Sequence, residues 1–180
     1  MDASEAELID QAREGSIDAF ARLVEGHRQS ALRIAYVLVG DDAEDVTQEA
    51  FVKAFRHLSQ FRSGASFRPW LLTIVTNEAR NAHRSRSRRS ALSLRVAGRR
   101  AIADATPEES AVSHEDRRRL LDAVARLAPR DREIVALRYF AGLSEAETAE
   151  ALGCAKGTAK SRLSRALERL RGEIGEEVAS

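Results

Sequence analysis

The sequence predicts an all-helical protein of two small domains, on three observations. Leu, Ala, Arg and Glu dominate a chain of 180 residues that holds only ten Gly and three Pro, a composition that favours helix. Apolar residues recur at three- and four-residue steps along most of the chain, and no stretch shows the alternation of a strand. Between residues 86 and 114 that periodicity lapses into Ser and Arg and then acids. This divides the chain into a domain over 1–85, a flexible linker over 86–114 and a second domain over 115–180.

In the first domain Ser4 and Glu7 have the spacing of a capping box, opening a helix that ends at Gly15. A second helix from about Ile17 to Val39 carries Phe20, Leu23, Val24, Leu32, Ile34, Ala35 and Leu38 and stops at Gly40. Asp41 or Asp42 is expected to cap a third helix, whose Val46, Ala50, Ala54 and Leu58 face one side while Asp45, Gln48, Glu49 and Lys53 face the other. Gly64 and Pro69 punctuate the loop that follows. A fourth helix from about Phe67 to beyond Arg84 is expected to bury Trp70, Leu71, Ile74 and Val75, and these four helices can close one core.

In the second domain the helical pattern returns at Leu120, Leu121, Val124 and Leu127. After Pro129 it resumes at Ile134, Val135, Leu137 and Tyr139, and Gly142 ends it. Ser144 and Glu147 form another capping box for a short helix ending at Gly153, and a three-residue turn leads to a helix starting near Lys156. Helix, short Gly-containing turn, helix is the spacing of a DNA-binding helix-turn-helix. On the last helix Ala159, Leu163, Ala166, Leu167 and Leu170 share one face, opposite Gly157, Lys160, Ser161, Ser164, Arg165 and Glu168. Small and hydrogen-bonding residues among cations let a helix approach base edges in a major groove, where long apolar side chains would obstruct it.

Charge and composition narrow the function. The net charge of +1 hides a segregated pattern: −5 over residues 1–79, +8 over 80–103, −5 over 104–116, +6 over 117–172 and −3 over 173–180. Two basic blocks either side of an acidic spacer suggest two contacts with a polyanion. The single cysteine, Cys154, excludes an internal disulfide, and His27, His57, His83 and His114 have no zinc spacing with it. The N-terminus is acidic, and no apolar run approaches the roughly 18 residues of a membrane span, so a cytoplasmic protein without membrane insertion is expected. The segment GCAKGTAKS imitates a phosphate loop, but its second Gly comes one residue early, no Lys follows it and no strand precedes it. No nucleophile with an ordered base and no paired carboxylates can be assembled, so neither an enzyme, a cofactor nor a small-molecule substrate is indicated.

Five segments together resemble the extracytoplasmic-function (ECF) sigma factors, promoter-recognition subunits of bacterial RNA polymerase. They are DAFARLVEGH, AEDVTQEAFVKAF, FRPWLLTIVTNEARNAHR, LAPRDREIVALRYFAGLSEAETAEALG and GTAKSRLSRALERLR, covering most of residues 5–84 and 115–171. The chain departs from the family pattern at Ala159, where a β-branched apolar residue is usual, and at Thr148, where Ile is usual; both fall on faces expected to be buried.

The resemblance implies specific roles. Asp45, Gln48 and Glu49 match the surface that binds a coiled-coil helix pair of the polymerase's largest subunit. The loop of Phe61, Arg62, Ser63, Gly64, Ala65, Ser66 and Phe67, with Asn77, matches the elements that capture a flipped base of the downstream promoter element, and an amide offers both donor and acceptor to such a base. Arg80, Asn81 and Arg84 continue that face towards phosphates, and Trp70 is assigned to the core. Lys160, Ser161, Arg162 and Arg165 match readers of the upstream element, within a DNA-facing set that also includes Lys156, Gly157, Thr158 and Ser164. The partners implied are core RNA polymerase, promoter DNA and an anti-sigma factor, which the family usually has. Two other classes make different demands: an autonomous helix-turn-helix regulator would need a dimerisation helix and tight DNA binding alone, and a nucleic-acid-processing enzyme would need a metal-binding acid cluster.

Overall fold

A computed structural model describes the backbone of residues 4–62, 64–90 and 111–178 and the side chains of 4–62, 64–86 and 115–175. Every regular element in these residues is helical. The chain forms two compact units, Met1–Arg88 and Arg89–Ser180.

The first unit is built from α1 (Glu5–Arg13), α2 (Ile17–Val39), α3 (Ala43–His57) and α4 (Phe67–Ser90). Both hydrogen bonds of the first capping box form: the Glu7 amide donates to Ser4 Oγ at 3.3 Å, and the Ser4 amide donates to a Glu7 carboxylate oxygen at 2.7 Å. Ser16 caps α2 by accepting from the Ala19 amide at 3.2 Å. At the end of α2, Gly40 takes φ +64, a left-handed value that any side chain would resist.

The expected side-chain cap of α3 does not form. A 3-10 turn over Gly40–Asp42 runs directly into the helix, leaving Asp42 at φ −80, ψ 6 without a side-chain cap bond. A capping carboxylate needs an extended backbone to reach back to the first amides. The Asp42 carboxylate instead accepts from Arg86 on α4 at 2.5 Å, and the His83 ring meets the Leu38 carbonyl at 2.9 Å. These two contacts hold the far half of α4 to the junction of α2 and α3.

The core of this unit is closed largely by small residues. On α2, Ala31, Ile34 and Ala35 are fully buried, and on α3 so are Ala50 and Ala54. Small residues on packed helix faces leave room for close backbone approach. From α4 the buried stripe is Phe67, Leu71, Leu72, Val75, Thr76 and Ala79. Leu71 and Val75 thus lie where expected, whereas Ile74 and Trp70 are only half-buried. Trp70 still packs, its ring 5.0 Å from Phe61 and 5.5 Å from Phe67. Thr76 is buried without penalty, because its hydroxyl donates to the Leu72 carbonyl at 2.8 Å.

The second unit comprises α5 (Ala111–Arg126), α6 (Pro129–Val135), α7 (Glu145–Ala151) and α8 (Lys156–Val178), with a π-helical stretch over Ala136–Phe140 extending α6. Regular structure therefore enters both ends of the 86–114 stretch, through Ser90 and from Ala111; residues 91–110 lie outside the described residues. Val124, Leu127, Ile134, Val135 and Leu137 are buried, whereas Leu120 and Tyr139 are exposed. Tyr139 stands two positions from Leu137, which on a helix is nearly the opposite side.

Enlarging a fully buried alanine of α3 should be felt directly. Ala50→Leu is expected to destabilise the first unit by about 1–3 kcal/mol through overpacking, read as a lower denaturation midpoint in the full chain.

Candidate nucleic-acid interface

In the first unit, burial of Val46, Ala50 and Ala54 turns Asp45, Gln48 and Glu49 to the outside of α3, where all three are exposed. Beside them an open groove of about 710 Å³ runs between α2 and α3, lined by Ile17, Phe20, Phe51 and Phe55 and edged by Gln48 and Glu44. Ile17 is 73% exposed and Phe55 42%, and the Phe20 and Phe55 rings lie 4.9 Å apart. Sequence reasoning took Phe20 for core and passed over the groove. Its signal was Val52 and Phe55, apolar residues on α3 that fall outside the Val46, Ala50, Ala54 stripe.

The loop before α4 is pinned at both ends by aromatic burial. Phe61 and Phe67 are 2% and 0% exposed, their centroids 5.9 Å apart, and Phe67 also meets the His27 ring at 5.1 Å. Both were expected among the base-contacting residues. In the structure both side chains are packed almost wholly inside, where they anchor the two ends of the loop. The loop's accessible residues are Arg62, Gly64, Ala65 and Ser66; Ser63 lies outside the described residues. Gly64 adopts φ +78, which lets the loop turn back at its tip.

Beyond the loop, α4 presents Asn77, Asn81 and Arg84 as an exposed row, with Arg80 half-buried beside it. These side chains are linked rather than loose. Arg80 donates to the Asn77 Oδ1 at 2.9 Å, Arg84 donates to the Asn81 Oδ1 at 2.6 Å, and the Asn81 amide nitrogen donates to Glu78 at 3.1 Å. The row holds two amides and two guanidiniums in one stripe, a set that suits base edges and phosphate oxygens.

In the second unit the predicted helix-turn-helix is α7 and α8. Ser144 and Glu147 complete their capping box, at 3.2 Å and 2.8 Å. The turn is closed by Gly153 at φ +62 and by the Cys154 amide donating to the Ala149 carbonyl at 2.9 Å. Thr148 and Ala159, the two departures from the family pattern, are each 1% exposed, and the Thr148 hydroxyl is satisfied by the Ser144 carbonyl at 2.8 Å. Cys154 is half-buried.

Lys156, Gly157, Thr158, Lys160, Ser161, Ser164 and Arg165 are all exposed on α8, opposite buried Ala159, Ala166 and Leu170. Arg162 is half-buried and so flanks this face rather than standing on it. Nothing lies within 4 Å of where a Gly157 side chain would begin, so the start of α8 is open to a close approach. The Arg165 Nε donates to the Ser161 carbonyl at 3.2 Å, which lays its stem along the helix.

Three arginines hold the scaffold. Arg169 pairs with buried Asp131 of α6, and Arg126 of α5 meets Glu173 of α8 at 2.7 Å. Arg132 donates to the Ala125 carbonyl and to the Leu127 carbonyl at 3.0 Å, capping the end of α5. Burial pushes its guanidinium below its ordinary pKa.

Among the described residues no group of His, Cys, Asp and Glu could hold a metal ion, and no helix is long and apolar enough to cross a membrane.

Comparison with known proteins assigns both units. Residues 23–89 match the family model of Sigma-70 region 2, and residues 117–170 match that of Sigma-70 region 4. The ECF RNA polymerase sigma factor SigW of Bacillus subtilis is 31% identical over 92% of this chain and 94% of its own length. BldN, an ECF RNA polymerase sigma factor of Streptomyces coelicolor, is 36% identical over 91% of this chain, which spans 63% of that protein. Among solved structures, RpoE of Bartonella quintana, bound to the anti-sigma factor NepR, is 29% identical with a TM-score of 0.74 over 88% of this chain and 98% of that one. CnrH, bound to the cytosolic domain of CnrY, is 25% identical with a TM-score of 0.71 over 96% and 97% of the two chains. With a four-helix unit matching region 2, a helix-turn-helix unit matching region 4, and SigW aligned along nearly its whole length, the chain belongs to the ECF sigma factors of RNA polymerase.

Proposed function

We propose that this chain initiates transcription by docking on core RNA polymerase, reading promoter DNA with both units and helping to open the duplex, without catalysis of its own and in the cytoplasm where the polymerase works. The observation that carries the reading is the pairing, in one chain, of an exposed Asp45, Gln48, Glu49 face with two separate nucleic-acid-facing rows, one on α4 and one on α8. Docking uses the acidic α3 face. The downstream element is read by Arg62, Gly64, Ala65 and Ser66 of the loop, with Asn77, Arg80, Asn81 and Arg84. The upstream element is read by Lys156, Gly157, Thr158, Lys160, Ser161, Ser164 and Arg165, with Arg162 at the flank. Residues 1–85 and 115–180 act as the two functional domains, joined through 86–114. RpoE is bound by an anti-sigma factor, and we extend a partner of that kind to this chain.

The mechanism follows from what each row can reach. Bases in a duplex hide their pairing edges, so reading one through Asn77 requires unpairing and unstacking that cost a few kcal/mol. A small domain alone makes too few contacts to meet that cost. Docking on polymerase supplies further DNA contacts and fixes the distance between the two readers, which raises the effective concentration of the second reader once the first has bound. Run-off transcription with added core polymerase tests the whole reading. If the free chain binds one duplex site tightly and specifically and core polymerase adds nothing, an autonomous regulator takes its place.

Three outcomes separate the parts. Reversing charge at Asp45 or Glu49 should abolish association with core polymerase while leaving the unfolding midpoint unchanged, since both side chains are exposed; capture of core enzyme by the tagged chain reads this out. Lys160→Ala or Arg165→Ala should weaken upstream recognition by about 1–3 kcal/mol where the side chain reads a base, and lower affinity evenly across sequences where it holds phosphate, as competition binding with the holoenzyme distinguishes. Asn77→Ala should leave core binding and upstream recognition intact but reduce permanganate reactivity of thymines near the start site. A promoter mismatched around the downstream element should recover part of that loss.

A further inference from the structure

Glu78 is the only acid between residues 50 and 103, and it stands on α4 next to Asn77 and one turn before Asn81. A carboxylate in the middle of a face that meets phosphates opposes binding by like-charge repulsion. This one is not left to do so. One oxygen, Oε2, pairs with Lys53 Nζ of α3 at 2.7 Å, and the side chain is only 11% exposed. The other oxygen, Oε1, accepts from the Asn81 amide nitrogen at 3.1 Å. The Asn81 Oδ1 in turn accepts from Arg84, at 2.6 Å.

The chemistry of the neighbours leaves Asn81 a single orientation. A guanidinium can only donate, so the Asn81 atom facing Arg84 must be oxygen; a carboxylate can only accept, so the atom facing Glu78 must be nitrogen. Reversing the amide would break both bonds at once. One lone pair of the Asn81 oxygen is thereby engaged, and the amide keeps one N–H, a donor suited to phosphate or a base acceptor.

We propose that Glu78, neutralised by Lys53, is a positioning residue for the promoter-facing row of α4, fixing the Asn81 amide and through it the Arg84 guanidinium before DNA arrives. The inference rests on the assignment of α4 to the downstream element. It gives the acid a part in recognition, beyond that of an ion pair stapling α3 to α4. Lys53 sits one helical turn after Glu49, so the helix that docks on polymerase also supplies the cation that makes the acid tolerable on the DNA-facing helix.

The test uses the full chain with core polymerase and a duplex promoter, reading permanganate reactivity alongside the unfolding midpoint of the free chain. Glu78→Ala should lower promoter opening by about tenfold through loss of positioning, with core capture unchanged. Glu78→Gln combined with Lys53→Met, which leaves the single Gln oxygen to accept from Asn81, should restore most of it. Combined with Asn81→Ala, Glu78→Ala should add little, whereas combined with Asn77→Ala its effect should multiply in full. A merely structural ion pair would lower the unfolding midpoint in step with opening, would gain nothing from the Gln variant and would multiply with Asn81→Ala; that pattern overturns the proposal. If Asn81→Ala and Arg84→Ala both leave opening unchanged, the assignment of α4 to the promoter falls and the role of Glu78 with it. If they impair opening and Glu78→Ala does not, only the role of Glu78 falls.

Discussion

The first unit depends on how closely α2 and α3 approach. Ala31, Ala35, Ala50 and Ala54 are fully buried along these two packed helices, where small side chains permit close backbone approach. Val46, Ala50 and Ala54 take the inward face of α3, so Asp45, Gln48 and Glu49 are left on its surface. The acidic row Asp45, Gln48, Glu49 is in that sense a by-product of the core: the period of the helix fixes the outward face as soon as the inward one is chosen. The same approach fixes the end of α2, where Leu38 and the Gly40–Asp42 turn receive His83 and Arg86 and so determine where α4 can lie.

Aromatic rings play the corresponding part at the other end of α4. Phe61, Phe67 and Trp70 form one cluster, with His27 against it. A loop whose two ends are both buried is held by packing, leaving the residues between them to be chosen for what they touch. This division between anchors and contacts lies within seven successive residues, and in sequence the two kinds look alike. Aromatic residues serve equally well as core and as stacking platforms, so a family motif containing both types does not say which is which. Burial says it.

Much else was legible in advance, for physical reasons that can be named. Capping boxes at Ser4 and Ser144 were read from residue spacing alone because both hydrogen bonds are local and need no tertiary partner. The α8 faces were largely legible because a 3.6-residue period separates buried Ala159, Ala166 and Leu170 from exposed polar residues, with Arg162, Leu163 and Leu167 at the half-buried boundary. What failed was whatever depends on residues distant in the chain. The Asp42 cap lost to Arg86, forty-four positions away, and Arg169 found Asp131, thirty-eight positions away. A charge in a sequence has no visible partner when its partner arrives only by folding, and the groove between α2 and α3 escaped for the same reason, being made of two helices at once.

In α8 the residues that pack and the residues that face outward are separate sets. Ala159, Ala166 and Leu170, with Arg169 and Glu173 tied to neighbouring helices, hold the helix in place. Gly157, Lys160, Ser161, Ser164 and Arg165 are exposed. Substitution among the second set is therefore decoupled from folding, and selection can rewrite it without first repairing a core. If those positions read promoters as proposed, a lineage that duplicates such a chain can give each copy its own set of promoters by drift at a handful of surface positions, while the scaffold beneath them stays under constraint and the copies remain interchangeable parts of one machine.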